Sequence, residues 1–127
     1  MLTIYTYKNC STCRKATKFL HTRGITYEEK PIRENPPTLD QLACMLETYD
    51  GQMRRLFNSS SQDYRDAGLK HTLSELSEGE AFDHLQRNGN LVKRPFLIGE
   101  NTALVGVKES EWVALLDDSK SWKNLNL

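Results

Sequence analysis

Two cysteines separated by two residues, Cys10 and Cys13, stand where a strand-forming run gives way to a helical one. Leu2 to Tyr7 reads Leu-Thr-Ile-Tyr-Thr-Tyr, all but one of them good strand formers, as in a half-buried or central strand. Lys8 and Asn9 break it. Ser11 to Arg23 then reads as a helix with Ala16, Phe19 and Leu20 on one face and Arg14, Lys15 and Lys18 outward, stopped by Gly24. Ile25 to Lys30 has the length and content of a second strand, closed by Pro31. Strand, helix and strand in so short a stretch have the size of a βαβ unit.

The middle of the chain is helical in pattern. Thr38, after Pro36 and Pro37, is placed to cap a helix carrying Leu39, Leu42, Leu46 and Tyr49 on one side, ended by Asp50-Gly51. A short helix is expected over Gln52 to Phe57, stopped by Asn58-Ser59-Ser60-Ser61, and a further turn over Tyr64 to Ala67, ending at Gly68. Leu73 to Asn88 reads as a third main helix, terminated by Gly89. Phe96 to Gly99 and Thr102 to Val105 form a hairpin about Glu100-Asn101. Glu109 to Leu116 closes as a helix with Trp112, Val113, Leu115 and Leu116 inward. The order is βαβ, a block of helices, then ββα. With 127 residues and no repeat or linker, one domain is expected over 1–116, its helical insert at about 38–90. A polar tail follows over 117–127, with Trp122 as its docking residue.

Composition narrows the chemistry. A domain of this size buries a core without staples, so three cysteines are not needed to hold it together. The formal net charge of zero gives no support for direct nucleic-acid binding, which needs a strongly basic face. No apolar run approaches a membrane span, and the first residues lack the pattern of a signal peptide, so a cytoplasmic location is expected. Thiols are kept reduced there, and a close cysteine pair then points to redox chemistry or metal.

Cys10 falls at the end of the first strand, facing the unpaired backbone N–H groups of Ser11, Thr12 and Cys13 at a helix N-terminus. Arg14 and Lys15 add positive charge. Such settings lower a thiol pKa from about 8.5 to roughly 3.5–7.5, so that thiolate is present at neutral pH. Thiolate is the species that attacks a disulfide, and a second thiol one turn away resolves the mixed disulfide. The competing uses are half of a zinc site and inert packing. Zinc wants four ligands, and His21, His71 and His84 are scattered with no second cysteine pair, so no metal is expected. Cys44, between Ala43 and Met45 in a helix, is expected to be buried and unreactive.

Lys93-Arg94-Pro95 brings an arginine and a constrained proline to the start of a core strand near the same end of the sheet. A cis Arg94–Pro95 bond would turn the backbone toward the cysteines. A solvated arginine and a strand-start proline account for the same residues equally well.

With Tyr5-Thr6-Tyr7-Lys8-Asn9-Cys10-Ser11-Thr12-Cys13-Arg14-Lys15-Ala16 at one end and Lys93-Arg94-Pro95-Phe96-Leu97-Ile98 at the other, the chain resembles the arsenate-reductase-like family that includes ArsC and Spx. Leu56 to Ser61 and Tyr64 to Lys70 look like that family's middle segment. The resemblance runs from Leu2 to about Leu116. It implies an α/β, thioredoxin-like fold with a four-stranded mixed sheet. It also implies that Cys10 is the reactive cysteine, that Arg94 lies beside it, and that Pro95 takes the place of the cis-proline facing the active-site loop. In ArsC enzymes the cysteine attacks arsenate, arginines hold the oxyanion, and glutathione and glutaredoxin complete the reduction.

The chain departs from that pattern in two ways. One family arginine falls on Asn58 and another near Gly106, leaving Arg94 alone in register. Guanidinium groups bind oxyanions through paired, charge-assisted hydrogen bonds, so losing two weakens arsenate binding. Arg54, Arg55 and Arg65 are candidate substitutes. Cys13, in turn, permits an internal disulfide as in Spx. Two functions are therefore expected to compete. One is a reductase of small oxyanions or disulfides that holds no cofactor and is recharged by glutathione, a thioredoxin or a glutaredoxin. The other is a Spx-like regulator whose disulfide state switches contact with the C-terminal domain of the RNA polymerase α subunit. Cys10, Cys13 and Arg94 are the expected catalytic residues, supported by Ser11, Thr12, Arg14, Asn58 and Pro95.

Overall fold

In the computed structural model the described residues are 2–108 and 110–113. The expected end of the closing helix beyond residue 113, the tail 117–127 and Trp122 lie outside them; residues 110–113 are helical. Strand β1 (Leu2–Thr6) leads through Tyr7 to Asn9 into helix α1 (Ser11–Thr22). The helix stops as Gly24 takes φ 67°, a left-handed conformation that costs glycine nothing. The Gly24 amide then donates to His21 O at 3.0 Å and the Ile25 amide to Leu20 O at 3.0 Å, the paired bonds of a Schellman end. Strand β2 (Tyr27–Pro31) follows and pairs parallel to β1.

Four α-helices then intervene before the sheet resumes: α2 (Leu39–Thr48), α3 (Gln62–Asp66), α4 (Leu69–Thr72) and α5 (Glu78–Arg87). The hairpin of β3 (Phe96–Ile98) and β4 (Ala103–Val105) completes the sheet. The strand order is β2-β1-β3-β4, with β3 antiparallel to both β1 and β4. This is the expected α/β, thioredoxin-like arrangement with a four-stranded mixed sheet.

Period-2 alternation divides the strands between two cores. Leu2, Ile4, Leu97 and Leu104 point toward α1, where Ala16, Leu20 and Trp112 close the layer. Tyr5, Phe96, Ile98 and Val105 point the other way, into Leu42, Met45, Leu56, Phe57 and Leu85 of the helical side. Each large apolar side chain buried this way contributes about 1.5–3 kcal/mol, enough in sum to hold helices on both faces. Polar ties fix the layers: the Tyr5 hydroxyl donates to Gln41 Oε1 at 2.7 Å, and the amide of Val105 donates to the Tyr49 hydroxyl at 3.1 Å.

Three expectations about helices need correction. Leu73 to Asn88 is not one helix: a 3₁₀ turn over Leu73–Glu75 ends at extended Leu76, and α5 begins afresh at Ser77. The cause is a capping box, Ser77 accepting from the Glu80 amide while Glu80 reaches back to the Ser77 amide. Gln52 to Phe57 forms only a 3₁₀ turn over Met53–Leu56. On α2 the buried stripe is Leu42, Met45, Leu46 and Tyr49, the i, i+3, i+4, i+7 spacing of an apolar face, while Leu39 in the turn before it stays 54% exposed.

Candidate functional site

The site is built where β1 meets α1. Past Tyr7 the chain turns, the Cys10 amide donating to Tyr7 O at 3.1 Å, and Cys10 becomes the N-cap of α1 with extended φ and ψ of −108° and 112°. A cap normally offers a side-chain oxygen to the orphan amides of the first turn. Here sulfur fills that role, accepting from the Cys13 amide at 3.3 Å, and Thr12 Oγ1 lies 3.0 Å from the same sulfur.

The two thiols are held unequally. Partial burial pushes the Cys10 thiol up. Hydrogen bonds from the Cys13 thiol, the Thr12 hydroxyl and the Cys13 amide, helped by the charge of Arg94, outweigh that and leave it below the ordinary value. Cys13 is 2% exposed, and its thiol is pushed up to about 12. Burial is the chief cause, followed by its hydrogen bond to Cys10; the charge of Cys10 adds to the rise, and the Tyr7 backbone and Arg94 oppose it. The result is one half-exposed thiol that ionises readily beside one buried thiol that keeps its proton.

Sheet register brings Arg94 to this place. Tyr5 pairs with Phe96 across the antiparallel β1–β3 ladder, so residues two beyond on either strand, Tyr7 and Arg94, lie next to each other. The Arg94 guanidinium carbon sits 4.8 Å from the Tyr7 ring centroid. The Arg94–Pro95 bond is cis, and the buried Pro95 accepts the Gly106 amide at 2.9 Å. Of the other expected site residues, Ser11 and Arg14 occupy the exposed first turn of α1, where Arg14 Nη1 donates to Lys8 O at 3.4 Å.

Asn58 has a different environment. Its Oδ1 accepts from Ser60 Oγ at 3.2 Å and its amide donates to Leu91 O at 2.7 Å, so its described bonds shape the turn after the 3₁₀ segment rather than reach the cysteines. Two of the three candidate substitute arginines are likewise engaged elsewhere. Arg55 stacks on Tyr49 at 4.4 Å and pairs with Glu111 at 3.7 Å, and Arg65 donates to Ser60 O and Gln62 Oε1. At Gly106, φ is 69°, a left-handed conformation that an arginine adopts only with strain.

Two residues at the site went unmarked in the sequence. Tyr7 supplies the ring beneath Arg94, and Arg33 donates from Nη1 to the Tyr7 hydroxyl at 3.3 Å. The available signal was topological: residues just after β2 emerge at the carboxyl end of the parallel pair, beside the residues that follow β1. Cys44 requires a correction. It is exposed, because it lies between the buried positions Leu42 and Met45 on the outward side of α2. Among the described residues no group of three or more His, Cys, Asp or Glu is gathered to hold a metal, and no helix is long and apolar enough to cross a membrane.

This geometry has relatives. The model of the ArsC family matches residues 5–115. YusI of Bacillus subtilis is 37% identical over 111 residues, covering 87% of this chain and 94% of its own. The global transcriptional regulator Spx of Listeria monocytogenes is 31% identical over 87% of this chain and 83% of its own length. Among solved structures, a possible arsenate reductase from Streptococcus mutans UA159 superposes with a TM-score of 0.80 at 36% identity, covering 88% of this chain and 97% of that one. An ArsC family related protein from Bacteroides fragilis gives 0.82 at 34% identity, covering 90% and 96%.

Proposed function

Because this chain belongs to the ArsC family, we propose that it is a thiol–disulfide oxidoreductase in which Cys10 is the nucleophile and Cys13 the resolving thiol. One observation carries this reading: the Cys10 sulfur caps α1, with its thiol lowered while that of Cys13 is raised. The Cys10 thiolate attacks one sulfur of a disulfide R–S–S–R, forming Cys10–S–S–R and releasing R–S⁻. That step removes the negative charge and the hydrogen-bonding thiolate that hold the Cys13 proton, so Cys13 becomes easier to ionise when it is needed. It then loses its proton to solvent and attacks the Cys10 sulfur, giving the Cys10–Cys13 disulfide and a second R–S⁻. An external thiol donor of the glutathione, thioredoxin or glutaredoxin class reduces that disulfide back to two thiols.

Arg94 supports the thiolate through its charge, with Thr12, Ser11 and Arg14 completing the positive, donor-rich end of α1. Arsenate is the weaker substrate in this reading, since Asn58 and Gly106 stand where the resemblance expects two further arginines. A cytoplasmic setting, where thiol donors recharge the pair, suits this cycle.

A second reading is favoured by the 31% identity to Spx: a redox-switched regulator contacting the C-terminal domain of the RNA polymerase α subunit. One set of assays separates them. Purified protein with a thioredoxin or glutaredoxin recycling system is expected to reduce hydroxyethyl disulfide well above free dithiothreitol. Cys10→Ser should abolish turnover, and Cys13→Ser should accumulate the mixed disulfide. Absence of turnover together with capture of the polymerase domain by the oxidised protein alone would replace the oxidoreductase with the regulator.

A further inference from the structure

A second guanidinium stands at the mouth of the site. Because β2 runs parallel to β1, the chain leaving Pro31 emerges at the same end of the sheet as the Cys10 loop. Ile32 anchors it there, fully buried and with its amide on Thr6 O at 2.9 Å. The next residue, exposed Arg33, donates to the Tyr7 hydroxyl at 3.3 Å and places its guanidinium carbon 5.4 Å from the Tyr7 ring centroid. Arg94 approaches the same ring at 4.8 Å, so the two cations are no farther apart than those distances combined.

Like charges are not gathered without cost, and the usual remedy is a carboxylate between them. Among the described residues no carboxylate makes a contact ion pair with either arginine. Asp63 feels the charge of Arg33, but its Oδ2 is already held by the side-chain amides of Asn88 and Asn90 at 2.8 and 3.2 Å. Tyr7, whose carbonyl accepts the Cys10 amide, ties both cations to the sulfur's own loop. Two forked donors with unspent N–H groups, fixed against one phenol ring beside a nucleophilic sulfur, form a receptor for an anionic group.

Resting on the oxidoreductase reading, we propose that Arg33, Tyr7 and Arg94 bind a carboxylate carried by the disulfide substrate, so that the protein selects anionic disulfides over neutral or cationic ones. The sulfur chemistry is unchanged. The carboxylate-bearing half forms the mixed disulfide with Cys10, and its partner leaves as thiolate.

The test uses the reduced full-length protein and three disulfides: oxidised glutathione, hydroxyethyl disulfide and cystamine. The rate of Cys10–Cys13 disulfide formation is measured with each by quenched mass analysis and divided by the rate with free dithiothreitol. The expected order is oxidised glutathione first and cystamine last. Arg33→Gln should lower the oxidised glutathione rate about tenfold, roughly 1.4 kcal/mol, and the hydroxyethyl disulfide rate far less, with an unchanged thermal melt certifying the fold. Arg33→Lys should recover part of the loss, keeping charge without the fork. If Arg33→Gln treats all three disulfides as the wild type does, or slows all three alike, the subsite is wrong while the oxidoreductase stands. If the wild-type protein reacts with none of them, the oxidoreductase reading falls and takes the subsite with it.

Discussion

The backbone amide of Cys13 points at the sulfur of Cys10 across 3.3 Å, so the residue that the oxidoreductase reading makes the resolving thiol also favours charge on the sulfur that this reading makes the nucleophile. The helix terminus thereby does two jobs with one turn of backbone. Its amides and dipole favour charge on the outer sulfur, and its first inward-facing position buries the other.

The first expectation concerns ionisation. Alkylation of Cys10 by iodoacetamide, followed against pH, should show a midpoint below the ordinary 9.0, with buried Cys13 labelled only after Cys10. The linkage has opposite signs for the two thiols. The depressed Cys10 contributes stability that is present above 9.0 and fades as pH falls through its folded value. The raised Cys13 contributes stability that is intact below 9.0 and is lost as pH climbs toward about 12. Melts of wild type and Cys13→Ala between pH 9 and 11 should therefore converge as pH rises. Parallel curves would count against the raised thiol.

Thr12 offers a narrower probe of the same anion. Its Oγ1 lies 3.0 Å from the Cys10 sulfur, and Thr12→Val removes that donor while keeping the shape of the side chain. The alkylation rate at pH 6 should fall severalfold, with no change at a pH where both proteins are fully ionised. An equal loss at every pH would mean that shape, rather than charge, had been altered.

At Gly89 the constraint is space. An added Cβ would overlap the carbonyl oxygen of Ile32 and stand 2.8 Å from Arg33 Cα, all of it backbone that has nowhere to go. Gly89→Ala should cost about 3 kcal/mol in denaturant unfolding, at the upper end of overpacking effects. It should also disturb the turn that carries Arg33. A cost under about 1 kcal/mol would show that the close approach is not required.

Tyr49→Phe tests how the sheet edge is closed. The Tyr49 hydroxyl accepts the amide of Val105 at 3.1 Å, in a buried setting. Losing it orphans that amide and should cost about 1–3 kcal/mol, with the denaturant slope unchanged.

Cys44→Ser, by contrast, should leave both melting and disulfide reduction as they are, since its side chain faces outward from α2. In the native reduced protein, Ellman's reagent should leave a lasting adduct on exposed Cys44, while its adduct on Cys10 should be resolved by Cys13 into the internal disulfide with release of a second thiolate.

These contrasts mark where sequence reasoning succeeds. Strand, cap and helix around Cys10 were legible because each depends on a few adjacent residues. The break before α5 was legible too, in Ser77 and Glu80, but the apolar pattern over Leu73 to Asn88 masked it. Cys44 was misjudged because its helical neighbours alternate between buried and exposed, and one position decides the face.

On its own, the order of residues determined that a cysteine would cap a helix at the end of a strand, since a cap is a matter of local backbone geometry. It equally carried the family likeness and the four-stranded α/β plan. Tertiary structure alone decided that Cys13 would be buried enough to keep its proton, and that Arg33 and Arg94 would converge on Tyr7. Those outcomes depend on which strands lie side by side and in what register. That arrangement is settled by burial of the two cores, in which distant residues act together.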